Sequence, residues 1–233
     1  MWRPERVPSI TLPVDLAAQR AQIASATEPL GLRLTPRMLD QLQAYLALLQ
    51  RWNATYNLTA LRDPAQMLTH HLFDCLAVVP ALRRWASERS DATIAPSLLD
   101  VGSGGGLPGA VIAIVEPSWA VTCIDAVGKK TAFVRQVAAE LALPNLHATH
   151  SRVEQLTGRF DLVTSRAFAT LAEFAELTQA LLAVDGVWVA MKAKLSVDER
   201  TAVPENVDLF HVEQLRIPGL DAERCLVWMR PRG

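Results

Sequence analysis

The chain has 233 residues, half of them hydrophobic, with 23 Lys and Arg against 24 Asp and Glu and a formal net charge of -1. That is enough apolar material to bury a full core within the size of one α/β unit with something added. No apolar run approaches the roughly 18 residues of a membrane span, and the overall charge does not mark a nucleic-acid binder.

Residues 1–29 lack the basic-then-apolar order of a secretory signal and are interrupted by Glu5, Asp15 and Glu28, so the chain is expected in the cytosol. Residues 38–52 repeat apolar groups at helical spacing through Met38, Leu42, Tyr45, Leu49 and Trp52. A second helix opens at Asp63-Pro64-Ala65-Gln66, with Asp63 as cap and Pro64 in the first turn. It is expected to run to about Val79, where Pro80 stops it, and a shorter helix is expected around Arg83-Arg84-Trp85. Residues 30–95 thus read as a helical layer, and residues 96–233 as the α/β core beneath it.

From residue 97 strands alternate with helices. Strands are predicted at Leu98–Val101, Val121–Asp125, Leu146–Thr149, Phe160–Thr164 and Val187–Met191. Two more, around Val207–Arg216 and Arg224–Met229, are joined through Pro218-Gly219. Five β-α units and a terminal antiparallel hairpin make a Rossmann-like seven-stranded sheet, the layout of a class I S-adenosylmethionine (SAM) methyltransferase. In such open sheets the ligand lies beyond the carboxyl ends of the strands. There are no internal repeats.

The first of these strand ends is the most informative. Leu98-Leu99-Asp100-Val101 runs into Gly102-Ser103-Gly104-Gly105-Gly106-Leu107-Pro108-Gly109. Glycines let the backbone approach a ligand closely, and free amides at the following helix start favour an anionic group. An acid two places before the first of three alternating glycines is the register that holds the methionine end of SAM. Gly104, Gly106 and Gly109 also satisfy the dinucleotide fingerprint, but that register would put Pro108 where the helix should receive a pyrophosphate. The methyltransferase register is therefore preferred.

The other strand ends supply further candidates. Asp125 stands 19 residues after Gly106, placed to take both ribose hydroxyls of an adenosyl group or to cap the next helix. Ser151-Arg152-Val153-Glu154 would read the adenine edge, and Thr164-Ser165-Arg166-Ala167 faces the reaction centre. The Asn/Asp-Pro-Pro-aromatic motif of exocyclic amine methylation is absent there. A purine N7 already offers a lone pair, so a target of that kind needs only in-line positioning and no general base.

Two basic clusters stand out: residues 31–62 carry Arg33, Arg37, Arg51 and Arg62 against Asp40 alone, and Lys129, Lys130 and Arg135 follow the second strand. Each is either a solvated face or a rim for phosphates. His70-His71-x-x-Asp74 has helical spacing, but no second set of ligands accompanies it. A structural or substrate-orienting hydrogen-bond pair is preferred over a metal site. Trp52, favoured as core packing, and Asn53 and Asn57 either cover the site and grip RNA or anchor the helices. Cys75, Cys123 and Cys225 are read as buried, reduced thiols.

Taken in order, Trp52-Asn53, Asn57-Leu58-Thr59, Arg62-Asp63-Pro64, His71-Leu72-Phe73-Asp74, the segment from Asp100 to Gly109 and Ser165-Arg166-Ala167 closely resemble the ribosomal RNA small subunit methyltransferase G (GidB) family, over about residues 30–230. The resemblance implies methyl transfer from SAM to N7 of a guanine in the 530 loop of 16S rRNA, free or in the 30S subunit, in the bacterial cytoplasm; the alternatives are a SAM-dependent methyltransferase of another RNA or a small molecule, and a non-catalytic ribosome-assembly factor. No metal is implied, and a monomer is expected. Family cofactor contacts fall on Gly102, Leu107, Val153, Glu154 and Arg166, to which the physical reading adds Gly104 and Asp125. Arg166 either pairs with the cofactor carboxylate or hydrogen-bonds guanine O6. Arg166 and Lys192 are the candidates for positioning the base, and Arg51, Asn53, Asn57, Arg62, His71, Lys129 and Lys130 for contacting RNA. The family reads Leu-Lys-Gly after the fifth strand where this chain has Met191-Lys192-Ala193. Residues 1–29 lie outside the resemblance, as a helix on the N-terminal layer, a ribosome-contacting arm or a disordered end.

Overall fold

The computed structural model describes residues 15–89, 91–166 and 170–232; residues 1–14 of the extension, and Ala167 and Phe168 after the fourth strand, lie outside them. Helix α1 (Leu16–Thr27) is capped by Asp15, whose carboxylate accepts from the Ala17 and Ala18 amides. It packs on α2 (Pro36–Tyr56), where Gln43 Nε2 donates to the Leu16 carbonyl at 2.6 Å and Arg20 pairs with Asp40. Thr35 caps α2 by accepting from the Met38 amide, Pro36 fits the first turn, and Leu42, Tyr45, Leu46 and Leu49 form the buried stripe. Asn57 closes the helix in the left-handed region at φ 49°.

The next segment departs from the expected single helix. Asp63 does cap a start at α3 (Pro64–Met67), but the chain then widens into a π-helix over Leu68–Phe73 before α4 (Asp74–Leu76). Such π turns are frequent at functional sites. Pro80 does not stop a helix: it sits in the first turn of α5 (Val79–Glu88), where its missing amide forfeits no intrahelical bond. The separate short helix expected around Arg83-Arg84-Trp85 is part of α5.

The strands are β1 (Ser97–Val101), β2 (Ala120–Asp125), β3 (Leu146–His150), β4 (Phe160–Ser165), β5 (Leu182–Lys192), β6 (Val207–Leu215) and β7 (Arg224–Pro231). They lie in the order β3-β2-β1-β4-β5-β7-β6, with the first five parallel and β7 antiparallel to both neighbours. This is the expected sheet with its terminal hairpin. Strand β5 begins five residues before the predicted Val187, because Asp185-Gly186 reads locally as a turn. Gly186 instead runs against β4, where an added Cβ would lie 2.9 Å from the Phe160 carbonyl oxygen, and the β4–β5 register shifts beside it.

Side chains alternate across the sheet, so both faces bury apolar groups. Leu98, Val121 and Leu162 join the cluster formed with α2, the π-helix, α6 (Gly109–Val115) and α7 (Gly128–Glu140). Leu99, Val101 and Val163 join the other, under α8 (Leu171–Thr178). There Trp188, fully buried, donates its indole N–H to Thr178 Oγ1 at 2.7 Å, which removes the cost of an unpaired donor. Among the described residues no helix is long and apolar enough to cross a membrane. Topology brings the ends of β1, β2, β4 and β5 and the first residue of β7 to one edge, since Lys192 pairs in register with Cys225.

Candidate active site

The loop between β1 and α6 is built by backbone bonds that only a glycine-rich sequence permits. The Gly102 and Ser103 amides both donate to the Ile124 carbonyl, at 2.9 and 3.2 Å, and the Gly106 and Leu107 amides return to the Ser103 carbonyl. Gly102 and Gly104 have φ of 67° and 57°, a region that other residues enter at a cost. A Cβ on Gly104 would meet only the Gly102 carbonyl, 4.0 Å away, so the space over the loop is open to a ligand. From behind, the buried Tyr45 of α2 donates its hydroxyl to the Gly105 carbonyl at 2.7 Å.

The helix start does not offer its first amide outward as the sequence suggested. The Gly109 amide donates at 2.8 Å to Oδ2 of Asp100, which is fully buried. Burial is the main reason that this carboxyl is pushed up to about 7. Asp125 likewise turns inward: Oδ2 accepts from the Gly104 amide at 3.0 Å and lies 3.4 Å from Lys130 Nζ, while Oδ1 accepts from the Val127 amide at 2.9 Å. One carboxylate thus braces the glycine loop and the start of α7.

Two cavities open at this edge and share Arg166. The smaller, about 150 Å³, is lined by Gly102, Gly104, Leu107, Thr59, Lys130 and Arg166 among others. The larger, about 320 Å³, includes His71, Asp74, Arg166, Lys192 and Arg224 in its lining, with Leu61, Met191 and Leu215 as apolar walls. Arg166 Nη1 donates to the His70 carbonyl at 3.2 Å and lies 3.2 Å from His71 Nδ1 and 3.6 Å from Asp74 Oδ2. Arg224 Nε donates to the other Asp74 oxygen at 3.0 Å. Burial, opposed by these two guanidinium groups, raises the Asp74 carboxyl above its ordinary value.

His71 Nε2 lies 2.7 Å from Thr59 Oγ1, and the Thr59 amide donates to Asn53 Oδ1 at 2.8 Å. Asn53 is therefore buried and spends its side chain on the backbone, its Nδ2 donating to the Leu61 carbonyl. It anchors the connection below α2 and has no surface to offer RNA. His71 is also buried, though it lines the larger cavity. Asn57 is exposed and accepts from Arg62 Nη2 at 3.0 Å, while exposed Arg51 lies 3.5 Å from Glu140. Lys129 is exposed. Trp52 packs against Phe133, their ring centroids 5.5 Å apart.

Lys192 sits at the rim 2.6 Å from Glu199 of α9 (Val197–Thr201). Val153 is buried beneath the sheet edge and Glu154 is exposed in a single 3-10 turn; neither lines the two cavities. Among the described residues no three His, Cys, Asp or Glu side chains gather to hold a metal. Sequence reading missed Arg224, and Asp74 entered it only as a neighbour of the histidines. The one sequence signal was an Arg opening a predicted strand, which says nothing of its partner 150 residues away.

Comparison with known proteins fits this geometry. A family model described as rRNA small subunit methyltransferase G, GidB, matches residues 38–227. The chain belongs to this family. It is 54% identical over 212 residues to the ribosomal RNA small subunit methyltransferase G of Polaromonas naphthalenivorans (strain CJ2), covering 91% of this chain and 96% of that one. A relative of the same name from Acidovorax sp. (strain JS42) is 56% identical over 205 residues, covering 87% and 91%. Among solved structures, magnesium protoporphyrin IX methyltransferase from Synechocystis PCC 6803 with bound SAM superposes with a TM-score of 0.57 at 12% identity, over 81% of this chain and 97% of that chain. TrmN from Thermus thermophilus gives 0.53 at 18% identity, over 71% and 53%. These likenesses place the fold among class I methyltransferases.

Proposed function

We propose that the chain transfers a methyl group from SAM to N7 of a guanine in the 530 loop of 16S rRNA, in the bacterial cytoplasm. The observation that carries this reading is the sharing of Arg166 by two adjoining cavities, one over the glycine loop and one walled by apolar side chains and cations. Small-ligand pockets run to roughly 300 Å³ and above, so the smaller cavity suits one end of a cofactor and the larger a single extruded base.

The residues present fit SAM. Gly102 and Gly104 give close backbone approach, Leu107 and Leu58 supply apolar contact, and Lys130 and Arg166 face the same space as the cofactor carboxylate would. Asp125 already accepts from the Gly104 and Val127 amides, so its remaining lone pairs are what it offers the ribose, and Val153 and Glu154, outside both cavities, follow the next strand on the adenine side. The cofactor supplies an electrophilic methyl group when bound. Guanine N7 presents a lone pair without deprotonation, so the work of this chain is to hold the base in line and keep water out. Arg166 is the donor set for guanine O6 from one side, and Lys192 from the rim.

Transfer of a labelled methyl group to unmodified 16S rRNA, offered free and as 30S subunits with mass-spectrometric mapping of the product, tests the reading. N7-methylguanine in the 530 loop is the expected product. Tight SAM binding with transfer to neither substrate would refute it.

A further inference from the structure

Arg224 opens β7, and the antiparallel course of that strand sets it beside the end of β5 rather than at the far edge of the sheet. Its guanidinium is fixed from two directions: Nε donates to Asp74 Oδ1 at 3.0 Å, and Nη1 donates to the Glu223 carbonyl at 2.8 Å. Among the described residues Nη2 has no partner. The side chain is about a quarter exposed and lines the larger cavity together with Arg166 and Lys192. Asp74, only 5% exposed, thereby holds two guanidinium groups toward one space with one negative charge between them. Lys192 is balanced by Glu199, so the two arginines against Asp74 leave the cavity cationic.

SAM is cationic overall and its single carboxylate is already faced over the glycine loop by Lys130 and Arg166, so the positive charge that Arg224 adds to the larger cavity, away from that loop, is not called for by the cofactor. It serves an anionic substrate group. We propose that Arg224 is a phosphate-contacting residue: pre-oriented by Asp74, it donates to the RNA backbone next to the nucleotide held in the larger cavity. This rests on the reading of RNA as substrate. An arginine pre-set by a carboxylate loses little side-chain freedom on meeting the phosphate, which favours Arg over Lys at the position.

The test is equilibrium binding to a 16S rRNA fragment containing the 530 loop, across a salt series, for the wild type, Arg224→Gln, Arg224→Lys and the double variant Asp74→Asn with Arg224→Gln. One lost phosphate contact lowers the slope of log affinity against log salt by about 0.7 to 1. Arg224→Gln is expected to lower the slope by that amount and weaken binding roughly tenfold, while Arg224→Lys keeps the slope. The double variant leaves net charge unchanged and removes the uncompensated buried carboxylate, and it is expected to lose the same slope. An unchanged slope in the double variant, or a changed SAM affinity with an unchanged slope in Arg224→Gln, would overturn the contact and leave Arg224 as a support for Arg166. Methyl transfer by the wild type, run alongside, judges the substrate reading separately: normal RNA binding without transfer refutes that reading and not the contact. Absence of RNA binding by the wild type overturns both.

Discussion

Nδ1 of His71 lies 3.2 Å from Nη1 of Arg166 and equally 3.2 Å from the His70 carbonyl oxygen. The guanidinium only donates and the carbonyl only accepts, while Nε2 lies 2.7 Å from Thr59 Oγ1, a hydroxyl able to do either, so a neutral imidazole is accommodated on both sides. The histidine therefore joins the strand-end arginine to the loop below α2, and it does so uncharged. Burial and the Arg166 charge lower its pKa from 6.5 to about 4.

The consequence is a pH dependence with a fixed sign. Between pH 6.5 and about 4 the unfolded histidine binds a proton that the folded one refuses. This contribution to stability is present above pH 6.5 and is lost as pH falls through that window, by on the order of 3 kcal/mol. Urea unfolding of wild type and His71→Gln from pH 4 to 7.5 should give difference curves that converge as pH falls. A parallel pair of curves would mean that His71 takes up its proton at the same pH in the folded and unfolded states.

Asp100 gives the opposite sign. Its folded pKa of about 7 stands above its ordinary 3.8, so the folded state holds a proton that the unfolded state has lost between those values. The associated stability is present below about pH 4 and disappears as pH rises through 7. Asp100→Asn keeps an acceptor for the Gly109 amide and carries no charge. Relative to wild type it should gain a few kcal/mol between pH 4 and pH 8, read as a melting temperature that falls less steeply with pH.

These two groups also mark where sequence reading succeeds and fails. Asp100 and the glycines were legible because their pattern is local: the acid, the turn and the helix start lie within ten residues and constrain one another directly. The seven strands and the terminal hairpin followed from the alternation of elements. Asn53 reads in the sequence either as an RNA contact or as an anchor for the helices, because its type and its place near a helix end fit both roles. Only the return of Thr59 and Leu61 onto its side chain decides its burial. Arg224 was invisible for the same reason, since its meaning comes from Asp74 in another layer. Lys192 entered as a candidate without Glu199, a partner contributed by a helix that the strand pattern did not predict. The turn-like Asp185-Gly186 hid the first half of β5 because close approach to Phe160 is tertiary.

Gly109 is required by packing rather than by conformation. A Cβ there would lie 2.5 Å from Cys123 Sγ and 3.0 Å from Asp100 Oδ2, both fully buried. Gly109→Ala should cost about 1–3 kcal/mol by overpacking and weaken SAM binding through displacement of the loop. Cys123→Ala removes the nearest atom, so the double variant should recover most of the loss. Calorimetric SAM titration and chemical denaturation of the four proteins form the cycle, and additive losses would place the damage elsewhere.

Tyr45 tests whether the helical layer holds the loop in shape. Its hydroxyl is fully buried, and burial raises its pKa well above 10, so it remains a neutral donor to the Gly105 carbonyl throughout the physiological range. The loop around it is fixed by few other side chains: Asp125 holds the Gly104 amide, and Leu49 of α2 stands 3.0 Å from where a Gly105 Cβ would lie. Tyr45→Phe keeps the ring against Phe133 and removes only the donor, leaving a buried carbonyl unpaired at a cost of about 1–2 kcal/mol. If that bond sets the loop, the variant should bind SAM more weakly by a larger factor than it binds RNA. Equal loss of both affinities, or loss of stability alone, would show that Tyr45 supports the layer as a whole and that the loop keeps its shape without it.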